Sequence, residues 1–116
     1  MLDLIARIEA AELPGGQLIV TARGPLDERA AVDLRNALLP VAAAECSVVV
    51  LDLQDAHGLD EATLGVIGRA AELVADRGHR LAILTRSPVL VQLIDGHGLR
   101  ALVRLHSTLR GAIGGD

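Results

Sequence analysis

The chain has 116 residues, 51% of them hydrophobic and 22% charged, with a formal net charge of −4 and no Phe, Tyr or Trp. A chain of this length buries roughly two-thirds of the surface it exposes when unfolded. One small domain over residues 1–116 is therefore expected, its core built from Leu, Val, Ile and Ala, and disorder is excluded. The acidic balance (pI about 5.5) and the missing aromatic rings argue against nucleic acid or an anionic membrane surface as partner. A protein partner fits better.

Leu2–Glu9 alternates in part between apolar and polar residues, and Leu13-Pro14-Gly15-Gly16 is turn chemistry leading into a strand at Gln17–Ala22. The two strands read as a β-hairpin. Asp27 is a candidate helix N-cap with Glu28 in the first turn, and the helix predicted to run to Ala44 places Ala31, Leu34, Leu38 and Val41 on one face. Pro40 lies inside it and is expected to kink or shorten the last turn.

Val48–Leu53 is an apolar run without strict alternation, as expected of a central strand covered on both faces. Cys46, the single cysteine, precedes it and is expected to be a small buried thiol. Gln54–Leu59 carries Asp55, His57 and Gly58, residue types that favour irregular backbone, and Asp60 then stands where an N-cap belongs. From Glu61 onward, Leu64, Ile67, Ala71 and Val74 share one helical face, Arg69, Glu72, Asp76 and Arg77 lie largely elsewhere, and Gly78 supplies a C-cap.

Arg80–Leu84 is the next strand. Ser87-Pro88 starts a helix, with Ser as N-cap and Pro at the first position, that stops after Asp95 at Gly96-His97-Gly98. A short strand at Leu102–Leu105 and a helix from Thr108 to about Ile113 complete the order β-β-α-β-α-β-α-β-α. Strands alternating with helices make this an α/β domain. Its central sheet is mixed because the opening hairpin is antiparallel, and the helices pack against it.

His57, His79, His97 and His106 lie in separate segments without the i, i+3 or i, i+4 partner of a helical metal site, and are expected on the surface or in loops. Asp52, Asp55 and Asp60 gather near the carboxyl end of a strand, where open α/β sheets place ligands. That leaves either an acidic cation site or, as the bland alternative, a helix cap and a solvated loop. Gly24-Pro25 and Gly96-His97-Gly98 match no phosphate-binding loop, and Ser47, Ser87 and Ser107 sit in no nucleophile elbow. No catalytic residue, metal or cofactor is expected. With neither a secretory signal nor a long apolar span, and with one cysteine, the chain reads as cytoplasmic and not inserted in a membrane.

Asp52-Leu53 followed by Asp60-Glu61-Ala62-Thr63-Leu64-Gly65-Val66-Ile67 resembles the STAS domains, and within them the small bacterial anti-anti-sigma factors, also called anti-sigma factor antagonists. These carry a strand ending in Asp-Leu, a short loop and then Asp-Ser-Ser/Thr-Gly-Leu-Gly-Val-Leu opening a helix. Ile19–Asp27, with Gly24-Pro25-Leu26-Asp27, is similar to the family's earlier strand and its Gly-x-Leu/Ile-Asp. Arg80–Leu84, Ser87-Pro88 and Gly98-Leu99 are similar to its next strand, following helix and closing Gly-Leu. The resemblance covers nearly the whole chain. It implies a STAS-like fold, an anti-sigma factor of the serine-protein kinase type as partner, and a binding surface around Asp27, Asp60, Glu61, Ala62, Thr63 and Leu64. A homodimer is left open.

The departure matters as much as the match. In the family, the serine after the Asp is the usual phosphorylation site of the partner kinase. Here that position is Glu61, and the next family Ser/Thr position is Ala62. Neither side chain has a hydroxyl to accept phosphate. Thr63, where the family has Gly, does carry one. Glu61 has two readings. It stands in for phosphoserine, although with one charge and two oxygens against about −1.5 to −2 charges and three oxygens, or it is an acidic first-turn residue favoured by the helix dipole by about 0.3–1 kcal/mol. Two other roles remain: a STAS scaffold subunit of a transporter or signalling assembly, and a nucleotide or small-molecule sensor that uses the helix N-terminus.

Overall fold

The computed structural model describes residues 5–45 and 48–114. Six strands, β1 (Arg7–Glu12), β2 (Leu18–Pro25), β3 (Val49–Asp52), β4 (Ala56–His57), β5 (Leu81–Leu84) and β6 (Val103–His106), alternate with four helices, α1 (Glu28–Ala43), α2 (Glu61–Ala75), α3 (Pro88–Gly96) and α4 (Leu109–Gly114). The sheet runs β1-β2-β3-β5-β6, with β4 paired to β2 off this path. β1 is antiparallel to β2 and the other pairs are parallel, so the sheet is the mixed one expected. Cys46 and the beginning of the predicted first strand, Leu2–Leu4, lie outside the described residues. None of the helices described is long and apolar enough to cross a membrane.

Apart from shifts of one to three residues at element ends, such as β2 running to Pro25 rather than Ala22, two elements differ from the sequence reading. The first strand lies further along the chain, at Arg7–Glu12. A tight turn, with Leu13 N–H donating to the Gln17 carbonyl (2.7 Å) and Gly16 N–H to the Leu13 carbonyl (2.9 Å), sets the hairpin register and brings Glu12 opposite Leu18. Five of the six residues of β1 are exposed, so its apolar pattern carried little signal. The second difference is β4, inside the segment read as irregular. Its pairing to Gly24 and Pro25 comes from tertiary contact with β2, not from local propensity.

β3 and β5 are the central strands, and their apolar residues are buried on both faces, as continuous apolar runs require. One face is covered by α1, α2 and α3. There Val20, Ala22, Val49, Leu51, Leu53, Leu81 and Ile83 join Leu34 and Leu38 of α1, Ile67, Ala71 and Val74 of α2, and Leu90 and Ile94 of α3 in one cluster. On the opposite face α4 brings Ala112 and Ile113 against Val50, Ala82 and Leu84. With no aromatic side chain in the chain, close packing rests on many branched aliphatic contacts, each fully buried side chain stabilising by about 1.5–3 kcal/mol.

The helix faces agree with the periodicity. Leu64, Ile67, Ala71 and Val74 are all buried on α2. On α1, Ala31, Leu34 and Leu38 are buried, whereas Val41 is half-buried and Ala42 takes the interior position. α1 continues through Pro40 to Ala43. The missing N–H would have paired with the Asn36 carbonyl, and Asn36 and Pro40 both lie on the exposed side, where water can satisfy the acceptor. Arg77 of the segment after α2 donates from its guanidinium to the Ala42 carbonyl, placing a cation at the negative end of α1. Gly78, at φ +81°, ends α2 in a left-handed turn closed by Gly78 N–H to the Ala75 carbonyl (2.9 Å) and His79 N–H to the Val74 carbonyl (3.2 Å), the hydrogen-bond pattern of a Schellman motif.

Candidate functional site

The turn between β3 and α2 is held from two directions. Locally, the Asp60 carboxylate accepts from Thr63 N–H at 3.0 Å while the Thr63 hydroxyl accepts from Asp60 N–H at 3.1 Å. This reciprocal cap satisfies two of the donors that a helix start leaves open. From β2, Gly24 N–H donates to the Asp55 carbonyl (2.9 Å) and Leu26 N–H to the His57 carbonyl (2.8 Å). The Thr63 hydroxyl, fully buried, lies 3.2 Å from the Leu26 carbonyl and 2.9 Å from the Asp60 carbonyl and donates there. The loop before α2 is thereby fastened to the segment before α1. Gly24 is needed in this seam, because it has φ +86° and a Cβ there would come within 3.3 Å of the Ile5 carbonyl oxygen.

On this frame Glu61 and Ala62 stand exposed at the first two positions of α2, and Gly65 is exposed one turn on. Thr63 and Leu64 point inward, at 0% and 2% exposure. They hold the turn, and the Thr63 side chain is not part of the outer surface. The Thr63 hydroxyl is out of reach of a phosphate donor while the cap is intact. Asp60 is half-buried and committed to its cap. Asp27 caps α1, accepting from Arg29 N–H (3.1 Å) and Ala30 N–H (3.2 Å), and lies 3.6 Å from the Arg29 guanidinium.

Asp27 and Glu61 line different clefts. Asp27 borders a cleft of about 170 Å³ with Ile5, Ala6, Arg29, Ala30 and Asp33. Glu61 opens a groove of about 440 Å³ that continues along α2 through Leu64, Gly65, Gly68, Arg69 and Glu72 and is closed on the far side by His97, Leu99 and Leu102. The groove was not foreseen from sequence. Its available signal was the pair Gly65 and Gly68, three residues apart inside a helix whose propensity they lower.

The three carboxylates considered for a cation site are separately engaged. Asp60 caps α2, Asp52 accepts from Gln54 N–H at 3.0 Å, and Asp55 faces Arg23 at 3.8 Å across an exposed surface. Among the described residues no group of three or more His, Cys, Asp or Glu side chains is placed to hold a metal ion. His57, His79 and His97 are exposed, as expected, while His106 ends β6 half-buried. Ser87 caps α3, its hydroxyl accepting from Leu90 N–H at 3.2 Å.

The model of the STAS domain family matches residues 7–112. The chain belongs to the STAS domain family. No curated protein sequence matches it. Its solved structural neighbours include an anti-sigma factor antagonist from Mycobacterium paratuberculosis, 21% identical with a TM-score of 0.84, the alignment covering 98% of this chain and 97% of that one. SpoIIAA of Bacillus in its phosphorylated form is 15% identical, with a TM-score of 0.72 over 93% of this STAS chain and 97% of the other. Its unphosphorylated form is 13% identical, with a TM-score of 0.73 over 93% and 96%. A serine-to-glutamate variant of RsbS from Moorella thermoacetica is 15% identical, with a TM-score of 0.76 over 93% and 92%. At these identities the likeness is one of fold.

Proposed function

We propose that this STAS domain is an anti-sigma factor antagonist. It binds an anti-sigma factor of the serine-protein kinase type in the cytoplasm and so frees a sigma factor for transcription. The observation that carries the reading is the exposed acidic residue Glu61 opening α2 on a doubly fastened turn. The solved neighbours that are anti-sigma factor antagonists support it. A rigid turn presents its side chains with little ordering cost on binding. The binding surface is Glu61 and Ala62 on the outside of the turn, with Asp60, Thr63 and Leu64 setting its shape and Asp27 on the neighbouring helix start. As a binding domain it performs no chemistry of its own.

Glu61 makes the charge at this position permanent. The partner then meets either a constant partial mimic of phosphoserine or an ordinary helix start, and the two readings separate by experiment. Affinity capture from the native lysate with wild type, E61S and E61A, followed by titration calorimetry on the partner retained, is the test. The mimic reading expects E61S and E61A to bind with altered affinity. It also expects E61S alone, incubated with the captured kinase and ATP, to gain one phosphate by intact mass at residue 61. Equal affinities for all three would leave Glu61 as a helix-start residue. Failure of all three to retain an anti-sigma-type kinase would overturn the functional reading itself, in favour of a scaffold role.

A further inference from the structure

β1 ends the sheet, and among the described residues no strand pairs with its outer edge. Such an edge offers a row of unpaired backbone donors and acceptors, and proteins guard it with proline, a bulge or unmatched charges. Two of these devices, proline and a bulge, are absent from β1. β1 pairs residue for residue with β2 from Arg7 to Glu12 without a bulge, contains no proline, and its neighbour Ile5 is 77% exposed. It carries three exposed charges, Arg7, Glu9 and Glu12, of which Arg7 and Glu9 are opposite in sign and two residues apart.

We propose that this edge is a self-association surface, on which two copies of the chain pair β1 to β1, antiparallel, about a two-fold axis at Ile8. A two-fold axis normal to the sheet keeps every residue on its own face. Paired residue numbers must therefore differ by an even number, and the axis must pass through a residue position. An axis at Arg7 or at Glu9 sets a charge opposite its own copy, and one at Ala10 sets Ile8 against Glu12. An axis at Ile8 sets Ile8 against Ile8, Arg7 against Glu9 twice, Ala6 against Ala10 twice and Ile5 against Ala11 twice. Cross-strand pairs of opposite charge favour a register and like charges oppose it. Ile8 already packs at the rim of the core on the face covered by α1, and Ala6 lies beside it. The pairing completes the burial of Ile8 and joins the two sheets across the axis. Arg7 and Glu9 are exposed in the single chain, with Arg23 and Thr21 opposite them on β2, and so are free to meet the second copy.

The test is sedimentation equilibrium over a concentration series of the full chain, with thermal melting of each variant to confirm folding. Wild type is expected to dimerise reversibly. R7E and E9R each place like charges opposite one another twice and are expected to raise the dimer Kd by about tenfold or more, while the double swap R7E/E9R restores it. In a Cys46→Ser background, Ile8→Cys is expected to form an intermolecular disulfide on mild oxidation, because directly opposed strand residues fall within disulfide reach, and Glu9→Cys is not. A wild type that stays monomeric at its highest soluble concentration, or a double swap as weak as the single variants, would overturn the proposal. Cross-linking by Glu9→Cys in place of Ile8→Cys would overturn the register.

Discussion

Thr63 sits where two elements are fastened, and Thr63→Val isolates its hydroxyl at nearly constant shape. The substitution removes the acceptor of Asp60 N–H and the donor to the Leu26 and Asp60 carbonyls, at a side chain with 0% exposure. Leaving a buried polar group unpaired costs about 1–3 kcal/mol, and losing one arm of a cap costs about 0.5–2 kcal/mol. These overlap, because the same hydroxyl serves both, so about 2 kcal/mol is expected in all. An unfolding entropy of roughly 2.1 cal/mol/K per residue over 116 residues is about 0.24 kcal/mol/K. The melting temperature should therefore fall by about 8 °C. Thr63→Ser keeps the hydroxyl and loses one methyl group, so it should cost about half as much or less. Thermal and urea unfolding followed by circular dichroism at matched protein concentration measure both. A Thr63→Val variant within about 1 °C of wild type, or a Thr63→Ser variant less stable than Thr63→Val, would refute the view that this hydroxyl bond holds the turn.

Gly65 lies in an exposed helix interior where an added Cβ would meet nothing within 4 Å, so Gly65→Ala should stabilise by about 0.5–1 kcal/mol, read as a rise of about 2–4 °C in melting temperature. If the groove beside it accommodates the partner closely, the same variant should bind that partner more weakly while being more stable, a combination that calorimetry and melting together reveal. Gly24→Ala forces a Cβ into a left-handed backbone beside the Ile5 carbonyl; it should cost at least about 1–2 kcal/mol and lower the urea midpoint.

Much of the architecture was legible in the sequence because the signals were local. Asp27, Asp60 and Ser87 were readable as N-caps, since the side chain that satisfies a helix start lies next to it in sequence. The buried stripe of α2 followed from spacings of three and four, and the central strand from an unbroken apolar run. The absence of a hydroxyl at positions 61 and 62 needed no coordinates. Sequence by itself therefore determined the order of the elements other than β4, the mixed sheet and the chemistry missing from the turn. Contacts between distant segments decided the rest. Local residue types describe 54–59 as irregular, yet backbone bonds from β2 draw Ala56–His57 into a strand. Thr63 reads as an available hydroxyl, but the local cap with Asp60 and the approach of the Leu26 carbonyl, 37 residues away in sequence, engage it and bury it. The first strand was displaced because an exposed edge has no buried face to impose a pattern, and its register came from a turn and a neighbouring strand.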